Sequence, residues 1–243
     1  MKDDFRNVYD DETRARAYAE LKFPGTYYLA FRDLPAIFAR HARGRRAMDF
    51  GCGTGRSTRF LRDLGFSVVG VDISVPMLEQ ARERDPGGDY RQVAAGELGR
   101  LDAGPFDLIL SAFTFDNVAT LAEKEALLRA LKGLLGAGGR IVNLVSSPEI
   151  YVHEWASFST RDYPRNRAAK SGDRVQIVML DVVDARPVED VLCTDEDYLA
   201  LYRRVGLAPV EVVRPLATGE EPVAWVSETV TAPWTIYILR SDA

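Results

Sequence analysis

Two cysteines, Cys52 and Cys193, and two histidines, His41 and His153, are all that the 243 residues contain of either type. Two thiols are too few for a disulfide scaffold. No Cys/His grouping has metal-ligand spacing, so no metal is expected. The chain also lacks any apolar run approaching the ~20 residues of a membrane helix. Its first segment, MKDDFRNVYDDETRARAY, is acidic and polar and has no apolar centre like that of an export signal. Positive charge is in deficit: 31 Lys plus Arg against 36 Asp plus Glu give a net charge of −5. A polyanion such as DNA or RNA is therefore disfavoured as the main partner, because affinity for phosphate rests on clustered cations. The expectation is a cytoplasmic protein with neither a membrane nor a nucleic-acid partner. What is abundant is ordinary globular material, 47% hydrophobic and 28% charged residues, enough to bury a sizeable core.

From residue 45 onward, short apolar runs alternate with helical patterns. RAMDF (46–50) reads as a buried strand, followed by a glycine-rich turn and a helix over roughly 55–64 that stops at Gly65. SVVGVDI (67–73) is the next strand. A helix opens at Ser74, with Pro76 in its first turn, where proline is tolerated. Residues 89–93 form a weaker strand, and FDLILSAF (106–113) a strong one, apolar on both faces as in a central parallel strand. Leu127, Leu128, Leu131, Leu134 and Leu135 make a core-facing helical stripe, expected to end at Gly136 before the strand GGRIVNLVS. Strands separated by helices predict βαβ units, a parallel sheet and helices on both faces, a three-layer α/β sandwich. Regularity fails over 148–173. Two extended segments follow, DRVQIVMLDV and ARPVEDVLC, then a helix capped by Thr194 and Asp197 that ends at Gly206. APVEVV and WTIYIL close the chain as an antiparallel pair. One domain is expected, with residues 1–44 as a helical cap, 45–145 as the core and 194–243 as a helix and strand pair. Between core and C-terminal part, residues 146–193 form an insertion of about 45 residues after the fifth strand.

The most informative stretch is Asp49-Phe50-Gly51-Cys52-Gly53-Thr54-Gly55. Three alternating glycines between a strand and a helix let the backbone bend sharply and come close to a ligand. The helix behind them offers free N–H groups to a carboxylate or phosphate. A dinucleotide site would want G-x-G-x-x-G; Arg56 stands at the sixth position, so that fingerprint fails by one residue. Asp72 ends the next strand, 17 residues after Gly55, about where an acid grips ribose hydroxyls.

These residues resemble the signature of the class I S-adenosylmethionine-dependent methyltransferases: an acid and G-x-G-x-G after strand one (Asp49, Gly51, Gly53, Gly55) and a ribose-binding acid after strand two (Asp72). The resemblance covers roughly residues 45–145. It implies a Rossmann-like, seven-stranded, mostly parallel sheet whose last strand is antiparallel, with S-adenosylmethionine across the ends of strands one to four. The glycine turn would face its methionine part. By the same resemblance, Cys52, Ile73, Met77, Gly96, Glu97 and Ser111 are expected beside the cofactor. One departure stands out: Ala95 aligns where many relatives carry an Asp for adenine, so backbone groups or Glu97 are expected to hold that ring.

Methyl transfer from a sulfonium is a direct displacement, so the protein chiefly aligns the acceptor and excludes water. Asp116, after strand four, either orients or deprotonates the acceptor or N-caps the following helix; Asn117 beside it is a candidate acceptor contact. His153 is either a titrating catalytic group or a surface residue. Trp155, Phe158 and Tyr163 either wall a pocket or form the core of the insertion. Tyr18, Tyr27 and Tyr28 either contact ligands from a lid helix or pack it on the sheet, the helical stretches there being interrupted by a turn at Phe23-Pro24-Gly25-Thr26-Tyr27-Tyr28. Arg32 either pairs with a carboxylate or is solvated. The leading expectation is a methyltransferase acting on an O or N atom of a small-molecule acceptor, as a monomer or homodimer. Two alternatives stay open, an NAD-dependent oxidoreductase and a non-catalytic cofactor-binding protein.

Overall fold

A computed structural model describes residues 25–94, 96–182 and 186–242. Tyr18, most of the expected cap and Ala95 lie outside the described residues. Two short helices come first, α1 (Thr26–Arg32) and α2 (Leu34–His41), burying Leu29, Ala30, Leu34 and Ile37. The expected turn ends at Gly25, and Thr26–Tyr28 are already helical. Arg32 is paired within the protein, to Asp33 at 2.9 Å and Glu221 at 3.3 Å.

Then β1 (Arg46–Phe50), α3 (Arg56–Asp63), β2 (Ser67–Asp72), α4 (Val75–Arg84), β3 (Asp89–Gln92), β4 (Phe106–Ala112), α5 (Leu121–Gly133) and β5 (Leu135–Ser146) build the parallel part. After the insertion come α6 (Asp195–Val205), β9 (Leu207–Val213) and β10 (Trp234–Ser241). The sheet has seven strands in the order β3-β2-β1-β4-β5-β10-β9, and β10 runs antiparallel to both of its neighbours. One face is covered by α1, α2, α3 and the insertion, the other by α5 and α6. Along β4, alternation sends Leu108 and Leu110 into the first core and Ile109 into the second, and Phe106 also enters the second because the register shifts between Phe106 and Leu108.

Two local expectations need correction. The helix before β5 ends at Gly133, not Gly136, because Leu134 closes it by donating to Leu131 and Lys132 carbonyls. Gly136 and Gly139 instead lie in β5; a Cβ on Gly136 would make an ordinary contact with the Phe106 carbonyl oxygen at 3.4 Å, whereas one on Gly139 would stand 2.7 Å from it, too close for a side chain. Asp116 does not cap α5. Thr120 does, in a capping box with Glu123 that satisfies both ends of the first turn.

The insertion forms its own three-stranded antiparallel sheet, β6 (Phe158–Ser159), β7 (Arg174–Met179) and β8 (Val188–Val191). A buried carboxylate, Glu228, ties it to the rest. Its Oε1 accepts from the Thr26 hydroxyl at 2.6 Å and the Ala156 N–H at 2.8 Å, and its Oε2 from the N–H groups of Val226 and Ser227. Helix α1, the insertion and the β9–β10 connection thus meet on one side chain. No helix among the described residues is long and apolar enough to cross a membrane.

Candidate functional site

The turn after β1 is built as its glycines require. Gly51, Gly53 and Gly55 have φ of 71°, 52° and 77°, a region costly for side chains with a Cβ. Space separates their roles. A Cβ on Gly51 would lie 2.1 Å from Thr114 Oγ1, and one on Gly55 2.4 Å from the Tyr90 hydroxyl, whereas one on Gly53 would meet no atom within 4 Å. Gly51 and Gly55 therefore serve packing, and Gly53 presents bare backbone on the open side. Asp72 closes this crevice: its Oδ2 accepts from Gly53 N–H at 2.8 Å and its Oδ1 from Ser74 N–H at 2.9 Å. Ile73 beside it is half exposed, as a flat apolar neighbour of such a ligand would be.

Asp49 points elsewhere. Fully buried under α3, its Oδ2 accepts from the hydroxyls of Ser57 at 2.7 Å and Thr58 at 2.6 Å, while Oδ1 has no partner. Burial, only partly offset by those two hydroxyls, pushes its carboxyl up to about 6. It holds the first turn of α3 against the end of β1, beneath the glycine turn. Cys52 and Met77 are likewise buried, Cys52 in a small cluster with Leu78, Ala81 and Tyr90, and Met77 behind the Ser74 cap of α4. Gly96 (φ 86°) and Glu97 form an exposed turn after β3. The Ser111 hydroxyl is buried without a partner, at the end of β4.

A single segment carries the chain from this crevice to a second space. Phe113 adopts φ 64°, the one left-handed non-glycine among the described residues. Such strain costs roughly 1–3 kcal/mol and persists where surrounding packing imposes it. Here Trp234 and Tyr27 impose it, with ring centroids 4.8 and 5.8 Å from that of Phe113. The kink turns Thr114 back over the Gly51 turn, its hydroxyl donating to the Phe50 carbonyl at 2.8 Å, and brings Asp116 and Asn117 to the far side. There a cavity of about 40 Å³ lies between the ends of β4 and β5 and the insertion sheet. Asp116, Asn117, Ser146, Tyr151 and Asp190 supply its polar wall.

Asp116 accepts from the Ser146 N–H at 3.0 Å, and the buried Lys124 lies close enough to interact with it. Burial raises the Asp116 carboxyl and, in the same surroundings, lowers the Lys124 amine, since each charge is costly there. Lys124 donates to the Phe115 carbonyl from beneath. Tyr151 donates to Asp190 Oδ2 at 3.0 Å.

Of the expected acceptor-side residues, the fold brings together Tyr27, Asp116, Asn117 and Phe158. His153 is exposed and paired with Glu149 at 3.0 Å; with Tyr163 it borders a separate surface depression. Trp155 is buried in the insertion, donating to the Ile150 carbonyl at 2.9 Å, and Tyr28 is exposed. Asp190, Tyr151, Phe113 and Trp234 carried no assignment from sequence. For Asp190 a signal existed: in VEDV the period-2 alternation puts it on the same inward face as Val188. Among the described residues, no group of three or more His, Cys, Asp or Glu is placed to hold a metal.

Comparison with known proteins adds to this geometry. Residues 48–141 match the family described as "Methyltransferase domain". The cypemycin N-terminal methyltransferase of a Streptomyces species is 30% identical over 66% of this chain and 65% of its own. The 18S rRNA (guanine-N(7))-methyltransferase of Bos taurus is 32% identical over 56% and 52%. The chain spans about half the length of the first curated relatives it matches. In fold it is similar to the CcbJ methyltransferase of Streptomyces caelestis, with a TM-score of 0.65 and 20% identity over 98% of this chain and 99% of that one. With its strand order and glycine turn, the chain carries over residues 48–141 a match to a methyltransferase domain, set in a fold similar to that of CcbJ.

Proposed function

We propose that the protein transfers a methyl group from S-adenosylmethionine to an O or N atom of a small molecule, held in the cavity bounded by Phe113, Asp116 and Trp234. The observation that carries this reading is the shared segment 113–117. One end packs on the glycine turn and the other supplies the polar wall of the cavity, so donor and acceptor spaces are neighbours across four or five residues.

The crevice residues fit the family's cofactor. Gly53 offers uncovered backbone, and Asp72, fixed at the crevice by the Gly53 and Ser74 N–H groups, offers its carboxylate to the ribose hydroxyls. Ile73, Gly96 and Glu97 stand at the adenine side. Bound there, S-adenosylmethionine supplies an electrophilic methyl on a sulfonium. Everything else falls to the chain. The aromatic rings of Tyr27, Phe113 and Trp234 exclude water and restrict the acceptor's orientation. Asp116, its carboxyl raised by burial, is placed to accept a proton from an acceptor atom. The relatives' names put methyl groups on an rRNA guanine and on the N-terminus of cypemycin. A narrow cavity favours a small head group over a base in a folded RNA, and the net charge of −5 points the same way.

Calorimetry with S-adenosylmethionine, S-adenosylhomocysteine and NAD, followed by transfer of labelled methyl to a small-metabolite extract, tests the reading. Micromolar binding of the two sulfur nucleosides and labelled small products are expected. Binding of NAD alone, or labelling confined to RNA or protein, overturns it.

A further inference from the structure

Small O- and N-acceptors differ in what they offer a binding wall, and the wall of the cavity behind Phe113 is one-sided. It contains no Lys, Arg or His side chain. The Ser146 hydroxyl also lines it and hydrogen-bonds to Asp116, and the other polar atoms are predominantly acceptors. Asn117 Nδ2 is committed to the Phe113 carbonyl at 3.3 Å, which turns Oδ1 the other way, buried and without a partner. Asp116 and Asp190 add two carboxylates, and the Tyr151 hydroxyl spends its hydrogen on Asp190. Lys124, under Asp116, offsets part of this negative charge from outside the cavity and points its amine at the Phe115 carbonyl.

A buried acceptor without a donor costs about 1–3 kcal/mol, recovered when a ligand brings one. A carboxylate or phosphate brings none and meets like charge. An alcohol brings one O–H. An ammonium group brings up to three N–H donors and a positive charge. The remaining walls are aromatic and enclose the head group: Tyr27 and Trp234 are stacked at 5.7 Å and Phe158 stands edge-on to both, at 5.1 and 5.7 Å, while the Tyr27 ring already carries the Arg56 guanidinium at 5.3 Å. A volume of about 40 Å³ is room for two or three waters, the size of an aminomethyl head.

We infer that this cavity is an amine subsite: the methyl acceptor is a primary or secondary amine, its ammonium held by Asn117 Oδ1 and the Asp116 carboxylate against the rings of Tyr27 and Trp234. The inference rests on the methyl-transfer reading and adds the class of acceptor. In the reaction the ammonium gives one proton to Asp116, leaving a lone pair on nitrogen. That pair forms the N–C bond as the S–C bond breaks and its electrons stay on sulfur. The new ammonium keeps its remaining protons, and the proton on Asp116 passes to water. Asn117 is a specificity residue in this scheme, since it contacts the acceptor and takes no proton.

Binding by saturation-transfer NMR to the full chain, with and without S-adenosylhomocysteine, tests this with three probes of one shape: phenethylamine, 2-phenylethanol and phenylacetate. The amine is expected to bind at least about tenfold more tightly than the alcohol, and the acid not at all. Asn117→Leu is expected to weaken the amine about tenfold while S-adenosylhomocysteine affinity is unchanged, and Asn117→Asp, which keeps an acceptor, to retain amine binding. Equal affinity for amine and alcohol, preference for the acid, no amine binding, or indifference to Asn117→Leu each overturns the amine assignment. Amine selectivity without any S-adenosylhomocysteine binding upholds the subsite and overturns methyl transfer instead.

Discussion

Asp49→Asn is expected to stabilise the protein increasingly as pH rises. The carboxyl sits at about 6 in the folded chain against an ordinary value of 3.8, chiefly because burial penalises its charge. Between those pH values the native state holds more proton than the unfolded state. Stability therefore falls as pH rises through this window, and the full penalty is present above about 6. A displacement of roughly two pH units at 1.36 kcal/mol each is about 3 kcal/mol. The asparagine keeps an oxygen for Ser57 and Thr58 and cannot ionise, so it escapes that penalty. Its amide occupies the place of the partnerless Oδ1, at a cost that does not depend on pH. The observable is therefore the slope. For a chain of this size, about 2–4 °C per kcal/mol translates the change into roughly 6–12 °C of relative melting temperature gained between pH 4 and 7.5. Thermal melts of both proteins across that range read it directly. A difference that is constant with pH, or that narrows toward pH 7.5, would refute the burial argument.

Two further substitutions separate packing from binding. Glu228→Gln forces an NH2 group against two N–H or O–H donors whichever way the amide turns; a loss of about 2–4 kcal/mol is expected in urea unfolding, and a loss below 1 would remove Glu228 as the tie between three segments. Gly51→Ala drives a methyl into Thr114 and should cost several kcal/mol of stability, whereas Gly53→Ala should cost only about 1–2 kcal/mol for its backbone angle. Its larger effect is expected in calorimetry, as S-adenosylmethionine affinity reduced tenfold or more; unchanged affinity would show that the open side of Gly53 is not the ligand's side.

Features written within one βαβ unit were legible in the sequence. Gly51, Gly53, Gly55 and Asp72 lie on one strand-turn-helix-strand run, where backbone angle and alternation leave few options, and β1 to β4 fall within a residue of expectation. Asp116 was ambiguous because an acid in such a loop serves as a cap or as a site; the competing cap, Thr120 with Glu123, lies only a few residues on and uses the same local chemistry. Gly136 misled for a related reason, since glycine often ends helices but here stands inside a strand, beyond a helix that Leu134 has already closed. The cavity itself was not legible. Its wall joins Tyr27, Asp116, Asp190 and Trp234, and its tie joins Thr26 to Glu228, 202 positions apart, so only the folded sheet order brings them together. Asp49 illustrates the converse: its place in the motif was plain, but which way its side chain points depends on Ser57 and Thr58 of the helix above.

The left-handed kink at Phe113 makes one short stretch of backbone the partition between two chambers. Occupants on either side lean on the same peptide units, and whatever factor the first exerts on the second's affinity, the second returns in full. A partition held in a strained shape by Tyr27 and Trp234 has somewhere to relax, so any such coupling would reside in the scaffold and not in the reacting groups.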